Sequence, residues 1–289
     1  MKHPNELARE EASMSTLVEL TSAFEGIASM KIAQIKNRVL ESTKFFDEIW
    51  KIYSQLRVSD LSNLGRTDVK TQTSLIDKEL YVIITAEGGF SGDIDLKLIN
   101  LMLKTYDKEK NDIIVIGHHG AIQLAQRGIE YIKYFKLPTR DQNINVMPII
   151  REVQRYKSTL MFYQEYVSLM NQEVKSIALI SVVKERADAS DESEEIISED
   201  TYIFEPNTYA VATHLERSMM QIAVSQLILN SKLAQFASRF KAMSASHQRA
   251  DEERAEVHLN FNRAKRAIKD ERLKEIINGI KKSQASAKV

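Results

Sequence analysis

Cysteine is absent from the 289 residues, which excludes disulfides, thiolate metal sites and a cysteine nucleophile and favours an intracellular setting. Proline and glycine are scarce, at four and nine residues. Punctuation this sparse favours long uninterrupted helices. Neither sign of charge is in excess: 40 basic residues face 40 acidic ones, so net charge gives no case for a nucleic-acid partner. No run of about 18 apolar residues occurs, so no segment is expected to insert directly in a membrane. The polar start Met-Lys-His-Pro-Asn-Glu lacks the apolar stretch of a signal peptide. Any membrane association would then come through a partner.

The few breakers present divide the chain into three zones, read as domains 1–57, 58–206 and 207–289. Between Pro4 and Gly65 there is one glycine, Gly26, and no proline. That zone reads as a single helix from about Asn5 to Arg57. Apolar residues recur at steps of three and four through Ile35, Val39, Phe46, Ile49, Tyr53 and Leu56, with Ser42 the one break. Upstream, Leu17, Leu20, Phe24 and Ile27 keep the same kind of step. Such a narrow stripe is the pattern of a coiled-coil seam. About 53 helical residues span roughly 80 Å, too long for a domain of this size to bury along its whole length. Trp50, beside Ile49, reads as a packing residue.

The last zone reads as a second helix, from an N-cap at Asn207 to about Ser283. Its apolar steps run Leu215, Met219, Ile222, Leu229, Leu233, Phe236, Phe240 and Met243, interrupted by polar Gln226. From Ala245 to Glu256 large apolar residues are few, which predicts a lapse in the seam. Spacing resumes at Val257, Phe261, Ala264, Ile268, Leu273, Ile276, Ile277 and Ile280. This helix is the longer of the two, so its end is expected to protrude beyond its partner. Arg263, Lys265, Arg266, Lys269, Arg272, Lys274, Lys281, Lys282 and Lys288 crowd that end. They suit either a solvated helix C-terminus or contact with an acidic partner surface.

In the middle zone the period changes. Leu80 to Thr85 and Ile113 to Ile116 are short β-branched runs that end in glycine-bearing turns, Glu87-Gly-Gly-Phe-Ser-Gly92 and Gly117-His-His-Gly120. Helical patterns follow at Asp95 to Tyr106 and Ala121 to Tyr131. Strand, turn and helix in that order, twice, predict a buried parallel sheet. A helix over Pro148 to Met170 and strands at Ser176 to Val183 and Tyr202 to Phe204 complete the expectation. Asp188 to Asp200 reads as an acidic solvated loop.

Chemistry is hard to find in these residues. Gly88, Gly89 and Gly92 follow a strand, but GxxxxGK[ST] and GxGxxG are both missing, and Asp93 and Asp95 would put negative charge where a phosphate sits. A tight structural turn is the favoured reading. His118 and His119 are adjacent and so point apart, which does not suit chelation. They are expected to be exposed or turn residues. No catalytic site, cofactor or metal is assigned. The fold class is a long antiparallel coiled coil of N- and C-terminal helices with an inserted Rossmann-like α/β domain. A coiled-coil adaptor and a nucleotide-binding α/β enzyme are the alternative functions.

Four stretches resemble one known family, the gamma subunits of F-type ATP synthases. Glu256-Val-His-Leu-Asn-Phe-Asn-Arg-Ala-Lys-Arg-Ala, followed by Glu275-Ile-Ile-Asn-Gly, is similar to the family's EL-x-L-x-YNKARQA and E-I-x-x-GA. Thr85-Ala-Glu-Gly-Gly-Phe-Ser-Gly-Asp resembles its strand-turn S-D-R-G-L-C-G-x-x-N, and Tyr202-Ile-Phe-Glu-Pro its Y-x-F/Y-E-P. Glu19 to Lys31 is a weaker match to KIT-x-AM-x-MVA-x-x-K. The resemblance implies a rotor shaft: a coiled coil turning inside a ring of alternating alpha and beta subunits, on a foot that meets the epsilon subunit and the membrane rotor ring. It implies a non-catalytic subunit of a complex on the cytoplasmic face of the cell membrane. Carried over by motif, Asn262, Arg263, Lys265 and Arg266 would contact beta, and Tyr202 and Glu205 would lie in the foot. This sequence departs from the pattern where the family's Arg-Gln is Lys265-Arg266 and its turn cysteine is Ser91. Glu10, Glu11 and Glu19 also dilute the N-terminal basic cluster.

Overall fold

In a computed structural model of the chain, residues 3–55, 76–139, 141, 144–179, 203, 205 and 207–286 are described. The side chain of Trp50, the acidic stretch from Asp188 to Asp200, and Tyr202 and Phe204 of the expected fourth strand lie outside those residues. The first helix, α1, covers Pro4–Gln55. Proline suits a first helical position, where its missing N–H leaves no bond unmade. Strands β1 (Ile76–Ile84) and β2 (Asn111–Ile116) alternate with α2 (Ile94–Leu103) and α3 (His118–Gln126). Then come β3 (Lys133–Phe135), α4 (Met147–Val153), β4 (Tyr156–Tyr166) and β5 (Gln172–Ala178). The last helix, α5, covers Thr208–Ser286. Its N-cap is the expected Asn207, whose Oδ1 accepts the Ala210 N–H at 2.8 Å.

The contacts divide the chain into two units, residues 28–240 and residues 1–27 with 241–289. In the larger unit a five-stranded sheet runs in the order β3-β2-β1-β4-β5. The first four strands are parallel, and β5 returns antiparallel along the edge by a hairpin. The α2–α3 side of the sheet buries Tyr81, Ile83, Leu98, Ile99, Val115 and Phe162. The opposite side buries Leu80, Val82, Ile84, Ile116, Ile150, Val224 and Ile228 under α4 and the first part of α5. Both faces are covered, which is why Leu80 to Thr85 shows so little polar alternation.

The expected helix over Pro148 to Met170 is a correction. Helix α4 stops at Val153, and Tyr156–Tyr166 is a strand beside β1. That segment has no glycine or proline to mark the change, but it carries Tyr156, Thr159, Phe162, Tyr163 and Tyr166. Aromatic and β-branched side chains of this kind fit a pleated surface. The next strand also begins earlier than expected, at Gln172 rather than Ser176, and it makes the sheet mixed rather than wholly parallel.

The same unit holds one stretch of the coiled coil. Ile35 packs with Leu229 and Leu233, and Phe46 with Met219 and Ala223. Partner numbers fall as α1 numbers rise, so the helices are antiparallel. Gln226, the polar break in the apolar series, is buried and donates to Thr43 Oγ1 at 3.1 Å. A satisfied buried amide in a seam favours one register over its neighbours.

In the smaller unit the seam phase is a second correction. Leu17, Leu20 and Ile27 are 41%, 51% and 47% exposed, while Leu7, Val18 and Thr21 are buried. Along α1 the covered positions follow a strict seven-residue repeat, Leu7, Met14 and Thr21 in one row and Glu11, Val18 and Glu25 in the other. Small and polar residues fill part of the seam, so the apolar residues alone point to the wrong face. The same holds on α5. No lapse occurs at Ala245 to Glu256, because Met243, His247, Ala250, Arg254, Val257, Phe261, Ala264 and Ile268 are all buried or half-buried. His247 Nδ1 lies 3.2 Å from the Val18 carbonyl, and His258 Nδ1 lies 2.6 Å from Glu11 Oε1.

Candidate functional site

Two places carry polar or unpartnered groups that packing alone does not need. The first is at the carboxyl ends of the strands, in the larger unit. Strand order reverses there: the β1–α2–β2 connection leads to one side of β1, and β4 lies on the other. In open α/β sheets that reversal leaves a crevice between the strand ends, the usual place for a ligand. Here α5 occupies it. Gln164 at the end of β4 donates its backbone N–H to Ser231 Oγ, and Gln235 Nε2 donates to Gln164 Oε1. Ser238 Oγ donates to the Ser91 carbonyl at 2.6 Å. The Arg239 guanidinium donates to the Gly88 and Gly89 carbonyls and to Ser91 Oγ at 3.1–3.4 Å. The glycine turn therefore presents carbonyl oxygens to a cation of the chain itself, the reverse of a phosphate cradle. That geometry supports the reading as a structural turn.

The turn is set from beneath by Asp95 and Thr85. Asp95, in the first turn of α2, is 1% exposed. Its carboxylate accepts the Ala86 N–H at 3.2 Å, Gln164 Nε2 at 2.9 Å and His119 Nδ1 at 2.7 Å. His119 is therefore not a simple turn residue. It is half-buried and its pKa is raised, chiefly by the hydrogen bond to Asp95 and against the pull of burial. His118 beside it is exposed, as expected. Thr85 Oγ1 lies within donating distance of the Ile116 and Gly117 carbonyls and accepts the Gly120 N–H, locking β1 to the start of α3. Sequence reasoning names Asp95 and His119 but does not join them, because 24 residues separate them and only the pairing of β1 with β2 brings them together. Gln164 and Arg239 leave no motif. Among the described residues no group of three or more His, Asp and Glu side chains is placed to hold a metal ion.

The second place is the end of α5, in the smaller unit. The seam closes with Ala264 and Ile268, near Leu7 of α1. Residues 269–280 are all exposed. Leu273, Ile276, Ile277 and Ile280 are 43–58% exposed and fall at i, i+3, i+4 and i+7, one face of the helix. Contiguous exposed apolar side chains in such a stripe mark an interaction surface. Four of the six site residues of the sequence reading lie on this part of α5. Lys265 and Arg266 are exposed just above the bare stretch, with Lys265 Nζ 5.7 Å from the Phe261 ring centre. Arg263 is exposed and lines a hollow with Glu10 and Met14 of α1. Asn262 is half-buried, and its amide nitrogen lies 2.9 Å from His258 Nε2. These last two serve the seam side of the helix and the first two its outer side. Glu205 is exposed ahead of α5, and Tyr202 lies outside the described residues.

The chain is similar to known proteins along most of its length. A family profile described as ATP synthase matches residues 4–282. The ATP synthase gamma chain of Clostridium botulinum strain Loch Maree is 22% identical over 283 residues, covering 94% of this chain and 95% of that one. The gamma chain of Mycoplasmoides gallisepticum is 22% identical over 295 residues, covering 98% of this chain and all of the relative. Among solved structures, the rotor of the Euglena gracilis mitochondrial ATP synthase superposes with a TM-score of 0.59 at 14% identity, covering 91% of this chain and 99% of that chain. The central stalk of the Tetrahymena thermophila mitochondrial enzyme gives 0.54 at 16% identity over 78% of this chain.

Proposed function

The chain belongs to the ATP synthase gamma family, the central stalk of F-type ATP synthases, and from that premise we propose that it couples rotation to ATP synthesis or hydrolysis carried out by its partners. On this reading the chain makes and breaks no bonds itself. Its chemistry is differential contact with the conformational states of alpha and beta subunits arranged around the coiled coil. The single observation that carries the reading is the end of α5, which outlasts α1 and leaves an apolar face bare just beyond two exposed cations. An exposed apolar stripe of that kind marks a surface that another chain covers. The misphased apolar residues of α1, Leu17, Leu20 and Ile27, add outward-facing apolar surface along the same coil. The α/β part would then be the foot, facing an epsilon subunit and a membrane rotor ring on the cytoplasmic side. No described helix is long and apolar enough to cross a membrane. Membrane association on this reading therefore goes through the ring.

Co-purification from the native host with mass spectrometry tests the assignment; recovery without alpha- and beta-type subunits would sink it. The charge contact has its own test. Lys265→Glu with Arg266→Glu should lower ATPase turnover of the assembled complex about tenfold, the equivalent of about 1.4 kcal/mol. Both side chains are exposed, so the melting temperature of the isolated chain should stay unchanged. Unaltered turnover would remove these two residues from the contact with beta.

A further inference from the structure

The pair of buried Asp95 and half-buried His119 does more than a structural hydrogen bond requires. His119 Nδ1–H faces Asp95 Oδ2, and on the other side of the ring Nε2 lies 3.3 Å from the Gln123 amide nitrogen. With that amide orientation Gln123 Oε1 is buried and has no hydrogen-bond partner, alone among the buried side-chain oxygens and nitrogens of the described residues. The oxygen and nitrogen of a glutamine amide have the same shape, so their order is fixed by the bonds they make. Turning the amide over sets Oε1 against Nε2. That arrangement needs a proton on Nε2 as well as on Nδ1, an imidazolium that donates to Asp95 on one side and to Gln123 on the other. A neutral ring reverses it: Nε2 accepts from the Gln123 amide nitrogen, and Oε1 is orphaned. Either way one atom of the Gln123 amide is left in the inner position, so Gln123 can follow the proton but does not favour it. What favours it is Asp95, a carboxylate 1% exposed that faces His119 Nδ1 at 2.7 Å and gains a paired cation when the ring is charged.

We propose that His119 is a proton-operated latch, which when charged ties α3 through Asp95 to the glycine turn and through Gln164 to α5. Asp95 is the common member. It holds the Ala86 N–H at the root of the turn and Gln164 Nε2, and Gln164 Oε1 in turn accepts from Gln235 of α5. His119 also donates its backbone N–H to the Ala86 carbonyl at 3.0 Å. The charged and titratable groups that face the pair are few. Arg239 of α5 lies within the field of Asp95 and grips the turn carbonyls. Glu87 of the turn is occupied by the Tyr134 hydroxyl and the Leu137 N–H. His118 points away toward the edge of the Tyr134 ring. The raised pKa of His119 is consistent with the latch being closed when the ring is charged. A histidine whose folded pKa lies above its unfolded value of about 6.5 contributes stability that is complete below that value. The contribution is lost as the pH rises through the folded pKa. The turn should thus be held tightly in mildly acidic solution and loosen as the solution becomes alkaline.

The test uses the full chain with isotope-labelled histidine, followed by NMR from pH 5 to 9. His119 is expected to titrate above the ordinary value, with both ring nitrogens protonated at the low end. Hydrogen exchange at Ala86 and Gly88 to Gly92, corrected for its intrinsic pH dependence, should quicken about tenfold through the same titration, the equivalent of about 1.4 kcal/mol. Asp95→Asn should lower the titration point, and His119→Gln should make protection of the turn independent of pH. His118→Gln should change neither readout. Should Asp95→Asn fail to fold, His119→Gln, at a half-buried position of α3, carries the test alone. A His119 that titrates at or below about 6.5, or turn protection with the same pH profile in His119→Gln, overturns the latch. Both readouts concern the isolated chain, so their failure leaves the stalk reading standing.

Discussion

Gly117→Ala should destabilise the α/β part by about 3 kcal/mol or more, whereas Gly88→Ala and Gly89→Ala should stay within about 0.5 kcal/mol of the parent. Gly117 joins β2 to α3 at φ 100° and ψ 136°, a conformation that side-chain-bearing residues rarely adopt. A Cβ there would sit 2.1 Å from the Thr85 carbonyl oxygen and 2.8 Å from Thr85 Oγ1. Neither atom is free to retreat. The Thr85 N–H is bonded to the Ile116 carbonyl at 2.7 Å, and Thr85 Oγ1 accepts the Gly120 N–H at 3.0 Å. Gly117 itself donates to the Phe135 carbonyl at 2.9 Å, so shifting its backbone would break β3 from the sheet edge. A methyl group added at Gly88 or Gly89 would meet no atom within 4 Å. Chemical denaturation with hydrogen exchange on β1 and β2 amides separates the cases. Equal midpoints for Gly117→Ala and Gly88→Ala would mean that the β1–β2 crossing does not pack as described.

The long helices are legible in the sequence because Gly26 alone interrupts α1 after Pro4 and Gly279 alone interrupts α5. Strands β1 and β2 are legible because burial on both faces leaves runs of β-branched residues. Strand β4 is not. It follows α4 with no glycine or proline between them, and its apolar residues fit either period over a short window. The seam phase upstream of Ala28 misleads for a different reason. Thr21, Glu11 and Glu25 take covered positions because the facing helix offers small or polar partners such as His247 and His258. Leu17, Leu20 and Ile27 meanwhile face outward, where a partner chain rather than this one would reward them. The Asp95–His119 pair is invisible in the sequence because strand register, not spacing, assembles it. Arg239 is invisible because its targets are backbone carbonyls, which carry no sequence signature.

Replacing Leu273, Ile276, Ile277 and Ile280 by serine should leave the isolated chain as stable as before, within about 1 kcal/mol, and weaken its assembly with alpha and beta subunits at least a hundredfold. The first half follows from exposure: these side chains bury little within the chain, so their loss removes little. The second half follows from what surrounds them in the proposed complex. Full burial of a large aliphatic side chain is worth about 1.5–3 kcal/mol, so four of them offer roughly 6 kcal/mol or more. Association consumes part of that in lost side-chain and rotational freedom, which leaves a hundredfold change, about 2.7 kcal/mol, as the smaller expected outcome. The ionic-strength profile distinguishes this face from the cations above it. Loss of Lys265 and Arg266 should flatten the salt dependence of assembly, because exposed charges act through screened fields. Loss of the four apolar residues should lower affinity equally at every salt concentration. Light scattering of the reconstituted complex across a salt series reads both effects, and ATPase turnover reads whether the seated helix end is needed for coupling. Assembly at parental affinity by the serine variant would mean that the bare end of α5 is not gripped, and the shaft would have to act through its outward face on α1 instead.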